Sequence, residues 1–473
     1  MSILKKLGFF VALLFSVTAS FAEQSHVSLS ETSAPPVLSP ELQEYQNSLL
    51  EMLNIVDAFC SLVYPKPTLA ECVDKVKHAV GQSFDPHSEY LNESDFQLLN
   101  ESLQGEFAGI GAEMKKSSDT SPVLIVKVRD GPAKKAGIIS GDVITHITTN
   151  GRRSSTASLT ITEIVNLLRG EVGSTLSLTI MRRGEQKEMI FTFARELIKV
   201  EQIKGELLQR EGKTYALITN LGFNRGNAKE MKRVFQDLEQ RSRKTGQKLS
   251  GVILNLENNR GGLLSEVYNG IDLFLDAPST ILTRDNEGMS IYKPRSEEIV
   301  ATPGDITRGL PMLVVVNGGC ASACEILSAS LKHFGRAVIA GTSATYGKGI
   351  VQSIFPTKLF GVADKGAVKV TTSEYLIGSP DDWTPVQCLG VSPDILFEYP
   401  NIKTPSSPKE CEAVRYVNSK GPMPNAPIHL PINKANPKLY QAGEEMLKAF
   451  IAHQTPLLEE EKNKRKQEEE EER

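Results

Sequence analysis

Residues 314–326 read Val-Val-Val-Asn-Gly-Gly-Cys-Ala-Ser-Ala-Cys-Glu-Ile. The valines continue an apolar run from Leu313, which is the pattern of a strand buried on both faces. Asn317 to Ser322 are small or turn-forming, and an apolar-periodic stretch from about Ser322 to Phe334 then reads as a helix. The same strand–turn–helix grammar recurs on either side. Tyr215 to Ile218 precedes a helix carrying Met231, Val234, Phe235 and Leu238 on one face. Val252 to Leu256 runs into Gly261-Gly262 and a helix through Val267, Ile271 and Phe274. Ala337 to Ala340 and Ile350 to Phe355 supply further central strands. Strands alternating with helices over 197–400 predict a layered α/β core.

Outside this core the period changes. Over 101–196 it is two. Val123, Ile125 and Val128, then Val143-Ile144, Leu176 to Met181 and Met189 to Phe193 read as short strands. Ile161, Ile164, Val165 and Leu168 recur at helical spacing, so a β-rich module with one amphipathic helix is expected. Residues 41–100 read as helical, with Leu49, Leu50, Leu53 and Val56 on one face and a turn at Asp85-Pro86-His87-Ser88. Residues 401–473 are Pro-rich, then helical, and end in a mixed-charge run from Glu459.

At 473 residues the chain is too long for one core, and roughly 100–200 residues per domain predict several. With 40% hydrophobic and 23% charged residues it is neither disordered throughout nor a multi-span membrane protein. A net charge of −4, one Trp and 6% aromatics give no field or stacking surface for nucleic acid.

Lys5 and Lys6, the apolar stretch Leu7 to Val17 and the small residues Ser20 and Ala22 read as a secretory signal over 1–22, cut before Glu23, with an uncleaved membrane tether as the plain alternative. Residues 23–40 follow as a Ser/Thr/Pro linker. The expected location is the periplasm or another exported compartment. Six cysteines then permit disulfides. Cys60 and Cys72 could staple two helices, and Cys388 and Cys411 could close a loop. Cys320 and Cys324, four apart in the predicted helix, read as packed thiols because their Cβ vectors diverge. No Cys-x-x-Cys or spaced His pair points to zinc, so neither a metal nor a cofactor is expected.

Ser322 at a helix N-terminus has two readings. It can be a plain N-cap, or a nucleophile whose neighbour Ala323 offers its N–H to an oxyanion. A base is then required. His333 lies eleven residues along the same helix, roughly 16 Å away, and no other histidine falls in this core. Lys348, between Gly347 and Gly349 at a strand start, remains, with Gln352 on the same strand face to orient it. A lysine with a reference pKa of about 10.4 acts as a base near neutrality only when desolvated. The plain alternative is an exposed strand-end lysine. Asn258 to Gly262 reads either as a helix-capping turn or as a second N–H donor, from Gly262.

Together these segments resemble the C-terminal processing peptidases, the tail-specific proteases. The resemblance spans about 45–400. It is carried by Asp85 to Leu91, Gly251 to Gly262, Cys320 to Glu325, Gly347-Lys348-Gly349 with Val351-Gln352, and Gly390 to Ile395. It implies a crotonase/ClpP-like protease core with an inserted PDZ domain and helical ends. It also implies Ser322 as nucleophile, Lys348 as general base, Gln352 as its orienting residue, and Ala323 and Gly262 as oxyanion donors. Phe107-Ala108-Gly109-Ile110-Gly111 resembles the PDZ loop, so Gly109, Ile110 and Gly111 would hold a substrate C-terminus. Three departures stand out: Cys320 and Cys324 replace common serines, Glu257 replaces a common Arg, and the interval of 26 from Ser322 to Lys348 is one residue longer than usual.

The expected activity is therefore a serine endopeptidase cleaving exported proteins at their C-termini. Its partners would be protein or peptide C-termini, membrane-proximal substrates included, without nucleic acid, and a homo-oligomer is compatible with the reading. Two other classes compete: a catalytically degenerate PDZ scaffold that binds tails, and an enzyme using Cys320 or Cys324 as nucleophile.

Overall fold

Alternate residues of the central strands point to opposite faces, and in this protein both faces are buried. The computed structural model describes residues 68–83, 85–118, 120–275, 280–285, 298–300, 302–360, 364–377, 384–400 and 436–472, with isolated helical positions between 43 and 58. The expected signal segment, the linker, Cys60 and Cys411 lie outside the described residues. The chain divides into two compact units, Met1–Phe96 with Ser353–Val370, and Gln97–Gln352 with Thr371–Arg473.

In the first unit, helix Leu69–Gln82 precedes strand Glu89–Leu91, which pairs antiparallel with the opening residues of strand Ala367–Ile377. The strand follows the expected turn at Asp85 to Ser88 and interrupts a region otherwise read as helical. Lys77 donates to Asp364 at 2.6 Å and to the Tyr90 hydroxyl at 3.2 Å. Burial alone would raise Asp364, but donors from Lys77, Thr357 and Gly366 pull its carboxyl down to about 2. The Asp85 carboxylate closes its own turn, accepting the amides of His87 at 2.8 Å and Ser88 at 3.0 Å.

The second unit begins with the β-rich module. Strands Ala112–Lys115, Val123–Val128, Val143–Thr149, Thr175–Met181 and Met189–Ala194 form one antiparallel sheet in that order, with Arg152–Ser155 beside Val143–Thr149. Val123, Ile125, Ile144, Ile147, Leu176 and Leu178 face a core completed by Ile164 and Leu168 of helix Ile161–Leu168. A capping box starts that helix: Thr160 N–H donates to Glu163 at 2.7 Å, and Glu163 N–H to the Thr160 hydroxyl at 3.2 Å.

The central sheet of this unit runs Ile203–Arg210, Lys213–Asn220, Leu249–Asn255, Met312–Val316, Val338–Gly341 and Ile395–Leu396. The first pair is antiparallel and the rest are parallel. Ala216, Ile218, Val252, Leu254, Val314 and Val316 face helices Asn227–Lys244, Leu264–Asp272 and Ala323–His333. Tyr215, Leu217, Ile253, Leu313 and Val315 face the opposite way, onto Met446, Leu447 and Phe450 of helix Pro437–Glu472. Two alternating apolar sets on one strand are what a parallel sheet covered on both sides requires.

One strand expectation is corrected. Ile350–Pro356 is a strand, but it pairs with Ala367–Ile377 and does not join the parallel sheet. Its apolar run is interrupted by Gln352 and Ser353 and is only half-buried, which suits a less covered sheet.

Candidate active site

Parallel strands deliver their loops to one edge, and the site is built there from three of them. Ser322 sits between strand Met312–Val316 and helix Ala323–His333, in the N-cap position. Its backbone is at φ 58°, ψ −120°, outside the helical and extended regions. A non-glycine residue so placed costs on the order of 1–3 kcal/mol and persists only where its surroundings over-determine it. Strained strand-to-helix turns of this kind lift a hydroxyl clear of the sheet.

The surroundings are specific. Ala321 N–H donates to the Asn259 carbonyl at 3.0 Å, and Ser322 N–H donates to Glu325 Oε2 at 2.9 Å. The neighbouring loop leaves no spare room: a Cβ on Gly261 would lie 2.9 Å from both the Ala323 nitrogen and Ser322 Cβ. Gly261 holds φ 93°, so its backbone needs glycine for conformation as well as space. Phe223 pairs with this loop by donating to the Gly261 carbonyl and accepting from Leu263 N–H. Both bonds bypass the Gly262 amide, which a parallel bridge turns to the other side. Among the described residues, no protein acceptor takes the Ala323 or the Gly262 amide.

The third loop carries Lys348. Its amine donates to Gln352 Oε1 at 2.6 Å, and Gln352 Nε2 donates to the Thr371 hydroxyl at 3.2 Å. Gly349 N–H donates to Gln387 Oε1 at 2.6 Å, while the Gly349 carbonyl accepts from Tyr375 N–H at 3.0 Å. The two glycines flanking Lys348 therefore let the chain lie against the 386–390 segment, as close backbone approach demands.

Glu325 joins these loops. Its carboxylate accepts Thr345 Oγ1 at 2.5 Å, Gly347 N–H at 2.6 Å, Lys348 N–H at 2.8 Å and the Ser322 amide. Ser322 and Lys348 thus hang their amides on the same oxygen. Burial pushes the Glu325 carboxyl up to about 7 despite these four donors. Tyr375 is a second tie. Its hydroxyl donates to the Lys348 carbonyl and reaches the Ser322 carbonyl at 3.4 Å. Burial, then the nearby Glu325 charge, holds that phenol well above its ordinary range, so it remains a donor.

Ser322, Ala323, Gly262, Lys348 and Gln352 all fall in this cluster, while His333 closes the far end of the helix that Ser322 caps. Glu325 and Tyr375 were not read as functional from the sequence. The Ser-x-x-Glu spacing from Ser322 to Glu325 was the available signal, since it marks a helix start whose acid bonds back to the cap. Nothing local in sequence marks Tyr375.

The cysteine reading is overturned. Cys320 and Cys324 form a disulfide, with Cα atoms 5.6 Å apart. They are not two turns of one helix, because the helix starts only at Ala323 and Ser322 breaks the backbone between them. Neither sulfur remains a thiol, which removes both the packed-thiol reading and the cysteine nucleophile. Cys72 and Cys388 are also disulfide-bonded.

The PDZ-like loop lies in the β-rich module. Strand Glu106–Gly109 pairs antiparallel with Glu196–Lys199, Ile110 is buried, and Gly111 takes φ 76°. The Ile110 carbonyl accepts Ala133 N–H at 3.0 Å and the Gly111 carbonyl accepts Arg129 N–H at 2.8 Å. The Arg169 guanidinium stacks 4.6 Å from the Phe107 ring.

Residues 214–397 match peptidase family S41, and residues 108–190 match the PDZ domain. Over 358 residues the chain is 31% identical to a carboxy-terminal-processing protease of Bartonella bacilliformis, covering 75% of this chain and 77% of that one. It is also 31% identical over 327 residues to a probable CtpA-like serine protease of Staphylococcus aureus, covering 68% of this chain and 58% of the relative. Among solved structures, a photosystem II D1 C-terminal processing protease is similar at 24% identity and a TM-score of 0.42, over 72% of this chain and 86% of that one.

Proposed function

The chain belongs to peptidase family S41, among the carboxy-terminal-processing serine proteases, and we propose that it is an endopeptidase with a Ser322/Lys348/Gln352 site acting on the C-termini of exported proteins. The observation that carries this reading is the Glu325 carboxylate, which accepts the Ser322 amide together with the Gly347 and Lys348 amides. One buried acid thereby binds the nucleophile turn to the lysine turn.

In the proposed mechanism, Lys348 in its neutral form takes the Ser322 proton, and Gln352 fixes the amine's direction. Ser322 Oγ attacks the scissile carbonyl. The Ala323 and Gly262 amides receive the oxyanion, Lys348 returns its proton to the departing amine, and water then clears the acyl-enzyme. That no acceptor among the described residues takes those two amides supports the oxyanion role. Residues 197–400 form the protease core in this reading, of the crotonase/ClpP type, and 101–196 the PDZ domain. Gly109, Ile110 and Gly111 hold the substrate carboxylate, and the leader 1–22 exports the chain.

The test is cleavage of a substrate with an apolar C-terminal tail by wild type, Ser322→Ala and Lys348→Ala, against the same substrate with an amidated terminus. Wild type alone should cleave, and the free terminus should be preferred. Equal cleavage by wild type and Ser322→Ala would sink the reading. Tail binding without cleavage by any of the three would favour the PDZ scaffold.

A further inference from the structure

Ser322 stands midway in a five-residue ring closed by the Cys320–Cys324 disulfide. Both cysteines are 0% exposed, and Cys324 Sγ lies 3.7 Å from the Leu256 carbonyl, at the end of the strand leading to the Gly261-Gly262 loop. The Cys320 carbonyl accepts Tyr346 N–H at 2.9 Å, two residues before Lys348. We propose that this disulfide is a positioning element for catalysis, fixing the backbone of Ser322 and the direction of the Ala323 amide. The inference rests on the functional reading above, with Ser322 as nucleophile.

The physical argument is one of space and conformation. The Ser322 conformation is unfavourable for a residue with a side chain, so something must hold it. A covalent tie with two residues on either side restricts that turn directly. Both half-cystines are fully buried, so opening the bond frees the turn inside the packed core rather than at its surface. Cys324 is anchored inside the helix, so displacement falls on the Cys320 side and the turn between. Opening the bond takes two electrons and two protons from an external dithiol, which leaves as its own disulfide. The enzyme accordingly gains its full rate only after a thiol–disulfide oxidant has closed the ring.

The experiment compares oxidised wild type with the double variant Cys320→Ala/Cys324→Ala on one peptide substrate, each with and without dithiothreitol, well below the melting temperature. The 320–324 peptide is checked for its disulfide by mass spectrometry. The double variant should lose at least tenfold in kcat with KM within about threefold, and its phosphonylation by a fluorophosphonate, with fluoride leaving, should slow to match. Reductant that opens the bond should lower wild-type kcat similarly and leave the double variant unchanged. A folded double variant with wild-type kcat, or one losing as much to reductant as the wild type does, overturns the proposal. Oxidised wild type that cleaves nothing defeats the functional reading instead, so the two failures are distinguishable.

Discussion

The Glu325 carboxylate accepts the backbone amide of Lys348 at 2.8 Å across 23 residues of chain. An acid in the first turn of one helix thus sets the height of a lysine on another loop. It does so through backbone groups, which leaves the Lys348 amine available to Gln352.

Glu325→Gln tests that link. Four donors converge on the carboxylate, and an amide nitrogen would face at least one of them with no acceptor to offer. The expected result is a fall in kcat of about 10²-fold, the scale of losing one oxyanion donor, with the fold retained by circular dichroism. An unchanged kcat would show that the loops hold their places without it.

Gly261→Ala should fail for a steric reason. The added methyl would meet the Ala321 carbonyl at 2.7 Å and the Ala323 nitrogen at 2.9 Å, on a backbone at φ 93°. Overpacking of this kind costs about 1–3 kcal/mol, visible in a urea titration. Activity should fall further than stability explains, because the methyl enters the space beside the Ala323 amide.

Glu257 offers a pH signature. Burial pushes its carboxyl up to about 7, against the Tyr399 hydroxyl that donates to it at 2.8 Å. The folded state therefore holds a proton that the unfolded chain has released. Stability from this group is present below about 4.5 and declines as pH rises to about 7. Glu257→Gln should flatten that decline, melting higher than wild type at pH 8 with little difference at pH 5. Parallel melting curves for the two proteins across this range would contradict the assignment.

The motif Gly390 to Ile395 has a structural explanation in Asp394, which pairs with Lys332 at 2.9 Å where the side chains are only 6% and 4% exposed. Lys332→Met strands a buried carboxylate and should cost about 3–5 kcal/mol by denaturant titration. Adding Asp394→Asn should restore part of it. Independent, additive losses would argue against a coupled pair.

The parallel core was legible because its middle strands are apolar on both faces, so Val314 to Val316 or Val252 to Leu256 could hardly be read otherwise. Ile350–Pro356 was assigned to the wrong sheet, since a short apolar run identifies a strand but not its neighbour. Local sequence left Ser322 between a cap and a nucleophile and Lys348 between a base and an exposed strand end, and only the family resemblance singled them out with Gln352. Tyr375 did not show, because its role comes from a fold that brings it 53 residues back along the chain to the Ser322 carbonyl. The Cys320–Cys324 bond was missed for a local reason. Four-residue spacing suggested one continuous helix, and the positive φ at Ser322 that folds the chain back has no signature in a serine.

The central claim is that Ser322 is the nucleophile, and the most direct measurement is the site of covalent labelling. Active protein is treated with a fluorophosphonate until cleavage stops, then digested and sequenced by mass spectrometry. One phosphonyl group on Ser322, absent from Ser322→Ala and slowed in Lys348→Ala, is the predicted result. Inhibition with the label on another residue, or complete loss of cleavage with Ser322 unmodified, would contradict it.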